Sequence, residues 1–226
     1  MPPEYFFTND MMLKLNLDYK ILFVSDFGST LYKTRTEKSD IDLICVVKSD
    51  EDIYTIYQSQ DYPELFDYYK NVDLHIVSEC TFQRLLNEHD IMALEVYYNL
   101  LDLNKELFEF TLNLDTLRRK ISAVVNNSWS KARKKLDIPE ESDYIALKSL
   151  FHSLRILSYG INLAQDNKID YLNVTLDSVE MTCKELWEDI LNDYNNGYRW
   201  KEFKEKYTPI QNANATKFRL LAPKEL

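Results

Sequence analysis

Two short stretches carry residues whose types and spacing fit chemistry on phosphate: Phe27-Gly28-Ser29-Thr30 and Asp40-Ile41-Asp42-Leu43. Residues two apart on a strand share a face and lie about 6–7 Å apart. A strand entered at this point sets Asp40 and Asp42 side by side and turns Ile41 to the core. Acids so close repel unless a cation neutralises them, and hard oxygen ligands suit Mg²⁺ (or Mn²⁺), whose shell is completed by water and phosphate oxygens. Gly28 lets a phosphate approach the backbone, and the following amides and the hydroxyls of Ser29 and Thr30 can donate to anionic oxygens. Two ions about 3.5–4 Å apart would bind the attacking and leaving oxygens of an in-line displacement, and such a pair needs a third carboxylate. Asp73, in Val72-Asp73-Leu74-His75-Ile76-Val77, is the candidate; it would orient or deprotonate an acceptor hydroxyl, with His75 on the same face as a structural neighbour. The set is equipment for phosphoryl or nucleotidyl transfer.

Positioning these groups requires strands. Ile21–Val24, Ile41–Val47 and Val72–Val77 are short β-rich runs. Ser49-Asp50-Glu51-Asp52 reads as a helix start, with Ser49 as N-cap and Asp52 at the capping-box distance. Thr81–Leu86 and Ile91–Leu101 predict two further helices. From Asn104 the period turns helical through Leu107, Phe110, Thr111, Leu114, Leu117, Ile121, Val124 and Val125. A break at Leu136-Asp137-Ile138-Pro139-Glu140 precedes a helix from Asp143 to Tyr159, with Gly160 near its end or at a kink. Leu176–Tyr194 reads as a last amphipathic segment stopped by Asn195-Asn196-Gly197, and Trp200–Leu226 as partly helical. The expected fold is α+β: an α/β core with a small mixed sheet over residues 1–102, then a helical bundle over 103–226.

The pattern resembles the nucleotidyltransferase superfamily that includes DNA polymerase beta. Its signature is an apolar residue, Gly-Ser, a spacer, Asp-x-Asp on a strand, and a third acid on another strand. Here these are Phe27-Gly28-Ser29, Asp40-Ile41-Asp42-Leu43 and Val72-Asp73-Leu74. The closer resemblance is to compact bacterial and phage predicted nucleotidyltransferases, through Gly28-Ser29-Thr30-Leu31-Tyr32, Thr36-Glu37-Lys38-Ser39-Asp40-Ile41-Asp42, Phe82–Leu86 and Ala93-Leu94-Glu95. A Lys, His, Arg series on a C-terminal helix is matched by Lys148, His152 and Arg155. The resemblance covers most of residues 20–170. It implies a nucleotide site of Gly28, Ser29 and Thr30 with Lys148, His152 and Arg155, and Asp40, Asp42 and Asp73 as metal-binding and catalytic acids. It also implies Mg²⁺ or Mn²⁺, two ions with the bound NTP, and transfer of a nucleoside monophosphate with release of pyrophosphate. The acceptor stays open among an RNA end, a protein side chain and a small molecule such as an aminoglycoside. Where the family often has glycine after the Tyr, this chain has Lys33, which stiffens the loop or aims a cation at phosphate.

Composition sets bounds. The chain has 226 residues, 27 basic against 37 acidic, a formal charge of −10 and a pI of about 4.9. Such a chain is repelled on average by nucleic acid or anionic membrane, so a polyanion would need a local patch. Arg118-Arg119-Lys120 with Lys131, Arg133, Lys134 and Lys135 is that patch, or a solvated helix face. No apolar run is long enough to span a bilayer, and the first twenty residues do not read as a secretory signal. Cys45, Cys80 and Cys183 are few and scattered, which fits a reducing cytoplasmic setting. Abundant Asn, Lys and Tyr fit an AT-rich source such as a low-GC bacterium or phage. With three glycines in the chain, each is expected where the backbone needs it. Tyr97, Tyr98, Phe108 and Phe110 read as core rather than a base-stacking platform. Two other functions use similar residues: a catalytically silent nucleotide-binding module on the same scaffold, and a metal-dependent phosphoesterase, which the Gly-Ser loop and the lack of a His-rich motif disfavour.

Overall fold

The computed structural model describes residues 12, 14–36, 39–63, 72–136 and 143–224. The chain divides into two compact units, one up to Thr111 and one from Leu112 onward. The fold is α+β, and no helix among the described residues is long and apolar enough to cross a membrane. Glu37, Lys38, Asn71 and the break over Asp137–Glu140 lie outside the described residues.

In the first unit β1 (Lys20–Asp26), β2 (Ile41–Lys48), β3 (Tyr54–Gln58) and β4 (Val72–Ser78) form one mixed sheet in the order β1-β2-β4-β3. The β2–β4 pair is parallel and its neighbours are antiparallel. Ile44, Cys45, Val46 and Val47 have no exposed surface, the continuous apolar run of a strand covered on both faces. One face packs Leu43, Cys45, Leu74 and Ile76 against Met12. The other packs Phe23, Ile44, Val46 and Val77 against Phe82, Leu86, Ala93, Val96 and Phe108. Those residues come from α1 (Glu79–Asn87), α2 (Ile91–Asn99) and the segment after α3 (Asp102–Lys105). Phe108 is core, as expected, in edge contact with Phe23 and Phe82, while Phe110 stacks edgewise on Tyr97.

The helix expected from Ser49 is absent; that stretch is loop and then the edge strand β3. The acids that mimic a capping box serve other groups. Asp52 accepts from the Thr81 hydroxyl and from Arg84, the latter at 3.3 Å, and Ser78 rather than Ser49 caps a helix, α1.

The second unit holds α4 (Leu114–Leu136), α5 (Asp143–Asp166), the hairpin β5 (Asn173–Leu176) and β6 (Val179–Thr182), α6 (Cys183–Asn195) and α7 (Trp200–Leu221). The helical stripe therefore starts at Leu114, not at Asn104; Leu107 is exposed and Phe108 is the buried residue. Gly160 does not end the helix, which runs on to Asp166. A Cβ there would stand 3.0 Å from Ile121 and 3.1 Å from Phe218, so glycine permits the close approach of α4 and α7. The amphipathic segment expected from Leu176 is half hairpin. Asp177 and Ser178, at φ +47° and +76°, make its two-residue turn. Buried Asn214 of α7 donates to the Thr175 carbonyl at 2.7 Å and accepts from the Asp177 amide at 3.2 Å, which pins that turn. α6 stops where expected, with Gly197 at φ +92°.

Candidate active site

The register of β2 and β4 places Asp42 directly beside Asp73 on neighbouring parallel strands. Their side chains share the sheet face that continues into Ile44 and His75. Asp73 Oδ1 accepts from Gln58 Nε2 at 3.2 Å, a donor supplied by the strand that the sequence pattern concealed. His75 sits beneath, sharing a 3.0 Å hydrogen bond with the Tyr54 hydroxyl and in edge contact with the Phe27 ring 5.0 Å away. Burial draws the His75 imidazole below its ordinary range, against the opposing pull of Asp73. It is neutral at pH 7, which suits a structural neighbour.

The glycine turn closes over Asp42. Phe27 donates to the Asp42 carbonyl at 3.1 Å, extending the ladder beyond β1, and Gly28-Ser29-Thr30 then forms one turn of 3-10 helix. Gly28 has φ +66°, and a Cβ on it would stand 2.7 Å from Asp42 Oδ2. Glycine is required twice over, by the left-handed backbone and by the carboxylate. The Gly28 amide donates to Glu95 Oε2 at 3.2 Å, so within the turn the amides left to meet an anion are those of Ser29 and Thr30. Thr30 Oγ1 is buried with no hydrogen-bond partner among the described residues. Lys33, at the place where glycine is common in the resembling family, also has a positive φ of +59°. Burial raises the Asp26 carboxyl above its usual range, with Lys33 and Arg35 pulling it back.

Asp40 lies one residue before β2 and is exposed. The turn that delivers it is built by Thr36 and Ser39. The Ser39 hydroxyl accepts the Thr36 amide at 3.0 Å, and the Ser39 amide returns to the Thr36 carbonyl at 3.0 Å. Among the described residues no three His, Cys, Asp or Glu side chains gather as a cation-holding group, so the acids brought together are the pair Asp42 and Asp73. Two adjoining carboxylates fit an ion such as Mg²⁺, which takes one or two of them and fills its shell with water and phosphate oxygens.

Lys148, His152 and Arg155 belong to the second unit, on α5. They do gather, but they are not three equivalent cations. Lys148 is exposed over the Tyr144 ring, 5.5 Å from its centre. Arg155 is 4% exposed, and its guanidinium lies 3.3 Å from His152 Nδ1. Burial, with Arg155, Lys131 and Lys148 around it, pushes His152 down to about 3. It is neutral at pH 7, so the stripe carries two charges rather than three.

The basic cluster is also divided. Arg118 donates to the carbonyls of Arg219 and Ala222 at 3.4 and 3.0 Å, closing the end of α7, and Arg119 pairs with Asp115 at 3.1 Å. Lys131, Arg133 and Lys134 are exposed at the C-terminal end of α4, where cations also complement the helix dipole.

No protein-family model and no curated protein matches the chain. Among solved structures, it is similar to a nucleotidyltransferase-like protein from Exiguobacterium sibiricum 255-15. The TM-score is 0.31 at 14% identity, over 95% of this chain and 73% of that one.

Proposed function

We propose that this protein is a metal-dependent nucleotidyltransferase of the DNA polymerase beta superfamily, moving a nucleoside monophosphate from an NTP to an acceptor. The observation that carries the reading is the Asp42–Asp73 pair with the Gly28 turn set against Asp42. An acid pair alone could be structural, and a glycine turn alone is common; their contact joins a cation site to an anion site. The buried Thr30 hydroxyl, without a partner among the described residues, adds a donor in the same turn.

In this reading Ser29 and Thr30 bind the outer phosphates. Asp42 and Asp73 hold Mg²⁺ or Mn²⁺, with Asp40 as a further ligand when two ions bind. Held there, the ion would supply positive charge to the phosphate oxygens of an in-line displacement. An acceptor oxygen attacks the α-phosphorus, the bond to the β-phosphate's bridging oxygen breaks, and pyrophosphate leaves with that electron pair. Asp73 orients the acceptor hydroxyl and takes its proton. On the second unit, Lys148 offers an exposed positive charge, while Arg155 is buried against His152. The acceptor is an RNA end, a protein side chain or a small molecule; exposed Lys131, Arg133 and Lys134 would serve a polyanionic one.

The test incubates the native chain and Asp42→Ala with each α-labelled NTP, Mg²⁺ or Mn²⁺, and a cell extract of RNA and protein. Label moved to an acceptor by the native chain alone supports the transferase. Uptake of NTP without transfer identifies a binding module, and release of phosphate without nucleotide transfer identifies a phosphoesterase.

A further inference from the structure

Glu95 is a charged side chain beside the turn that this chemistry leaves unused. It is the only charged residue of α2, whose other members are apolar or aromatic apart from Asn99, and it is 2% exposed. Burying a carboxylate is costly unless it is hydrogen-bonded. Its Oε2 accepts the Gly28 amide at 3.2 Å, across 67 residues of sequence. Gly28 is also the residue whose α-carbon abuts the Asp42 carboxylate. The turn is thus held from one side by a helix and stopped on the other by a strand.

We infer that Glu95 is a positioning residue: its carboxylate fixes the Gly28 turn in the conformation that offers the Ser29 and Thr30 amides to an anion. Gly28 sits at φ +66°, a conformation glycine leaves freely because it has so many alternatives. A hydrogen bond to a charged acceptor selects one of them. The same bond occupies the Gly28 amide, so the anion's position is set by the two amides that follow. Phosphate as the anion rests on the transferase reading above; the clamp itself does not.

A clamp and a simple staple of α2 to the sheet respond differently to Glu95→Ala and Glu95→Gln. Glutamine keeps an acceptor oxygen and alanine keeps none. Two measurements separate the cases: hydrogen exchange at the Gly28–Leu31 amides, and calorimetric binding of magnesium tripolyphosphate. In Glu95→Ala, exchange in the turn is expected to rise about tenfold while the amides of β2 keep their protection. Affinity for magnesium tripolyphosphate is expected to fall about tenfold, the worth of one hydrogen bond to a charged group. Glu95→Gln should bring both back to within about threefold of the native chain. Unchanged exchange in the turn of Glu95→Ala, or a rise shared equally by β2 and not relieved by glutamine, overturns the inference. If the native chain takes up no tripolyphosphate, the transferase reading falls, and the exchange comparison by itself decides the clamp.

Discussion

The two units put their charges to different uses. Residues 1–111 carry 21 acidic and 9 basic residues; residues 112–226 carry 16 and 18. In the first, two acids meet on adjacent strands, and a left-handed glycine is set against one of them. In the second, polar side chains finish the fold: Arg118 closes a helix end, and buried Asn214 pins a hairpin. The acid pair is what stability alone would not select, because like charges on neighbouring strands repel. An acid-rich unit also repels a triphosphate unless cations intervene, so the proposed chemistry there should depend wholly on divalent metal.

The largest expected effect tests that contrast. Asp42→Asn should lower nucleotide transfer about a thousandfold, the rate equivalent of ~4 kcal/mol of transition-state stabilisation. Its melting temperature should hold or rise by a few degrees, since the repulsion with Asp73 is gone. Transfer assays beside thermal unfolding check both. An Asp42→Asn protein that melts well below the native chain while keeping its activity would make the pair structural and erase the difference between the units.

The next effect belongs to the second unit. His152 is pushed down to about 3 in the folded protein, from an ordinary value near 6.5. Above pH 6.5 it is neutral folded or unfolded and contributes no pH dependence. Between 6.5 and 3 the unfolded chain binds the proton and the folded one does not, so stability falls with pH; below 3 the loss levels off. Between pH 6.5 and 5 this costs about 2 kcal/mol. Denaturant unfolding of the native chain and His152→Gln at several pH values reads it as the difference between two slopes. Equal slopes would mean that the imidazole charges freely among Arg155, Lys131 and Lys148.

Gly160→Ala probes packing in the same unit. The added methyl meets Ile121 and Phe218 at 3.0–3.1 Å, and crowding of this kind costs about 1–3 kcal/mol, offset in part by alanine's helix propensity. A denaturation midpoint equal to or above the native one would show that α4 and α7 yield at little cost.

Much of the first unit is legible because local pattern and tertiary burial agree there. β2 is a continuous apolar run covered on both faces, and Asp42, Asp73 and Gly28 stand at strand ends with recognisable spacing. β3 is concealed because five residues of edge strand follow an acid-rich loop that looks like a helix cap, when Asp52 in fact serves Thr81 and Arg84 of α1. The hairpin after Asn173 hides inside a helical-looking period; its signal was the Asp177-Ser178 pair, residues that tolerate a left-handed turn. The site's supporting groups were the hardest to see. Gln58 reaches Asp73 from the concealed strand, and Glu95 reaches Gly28 from a helix 67 residues away. Spacing along the chain carries no trace of such contacts, although one acid inside an apolar helix was a usable hint. Likewise the spacing of Lys148, His152 and Arg155 gives one helical face without revealing that burial discharges its histidine.

The smallest effect returns to the turn. The left-handed positions described in the second unit fall on Asn167, Asp177, Ser178 and Gly197, mostly residue types that accept this conformation at low cost. In the first unit Lys33 occupies it at φ +59°, with no such local compensation from its side chain. Lys33→Gly should therefore stabilise the protein by about 0.5–1 kcal/mol, the relief of strain being partly cancelled by the greater freedom of the unfolded chain. Lys33→Ala removes the same charge and keeps the strain, so it should leave stability near native. If the strained backbone is kept in order to aim the ammonium at phosphate, both variants lose magnesium-triphosphate affinity equally while glycine alone gains stability. Equal affinity in all three chains, with the gain confined to glycine, would make Lys33 a cost of the turn with no return in binding. The contrast between the left-handed positions of the two units would then narrow to Gly28 itself.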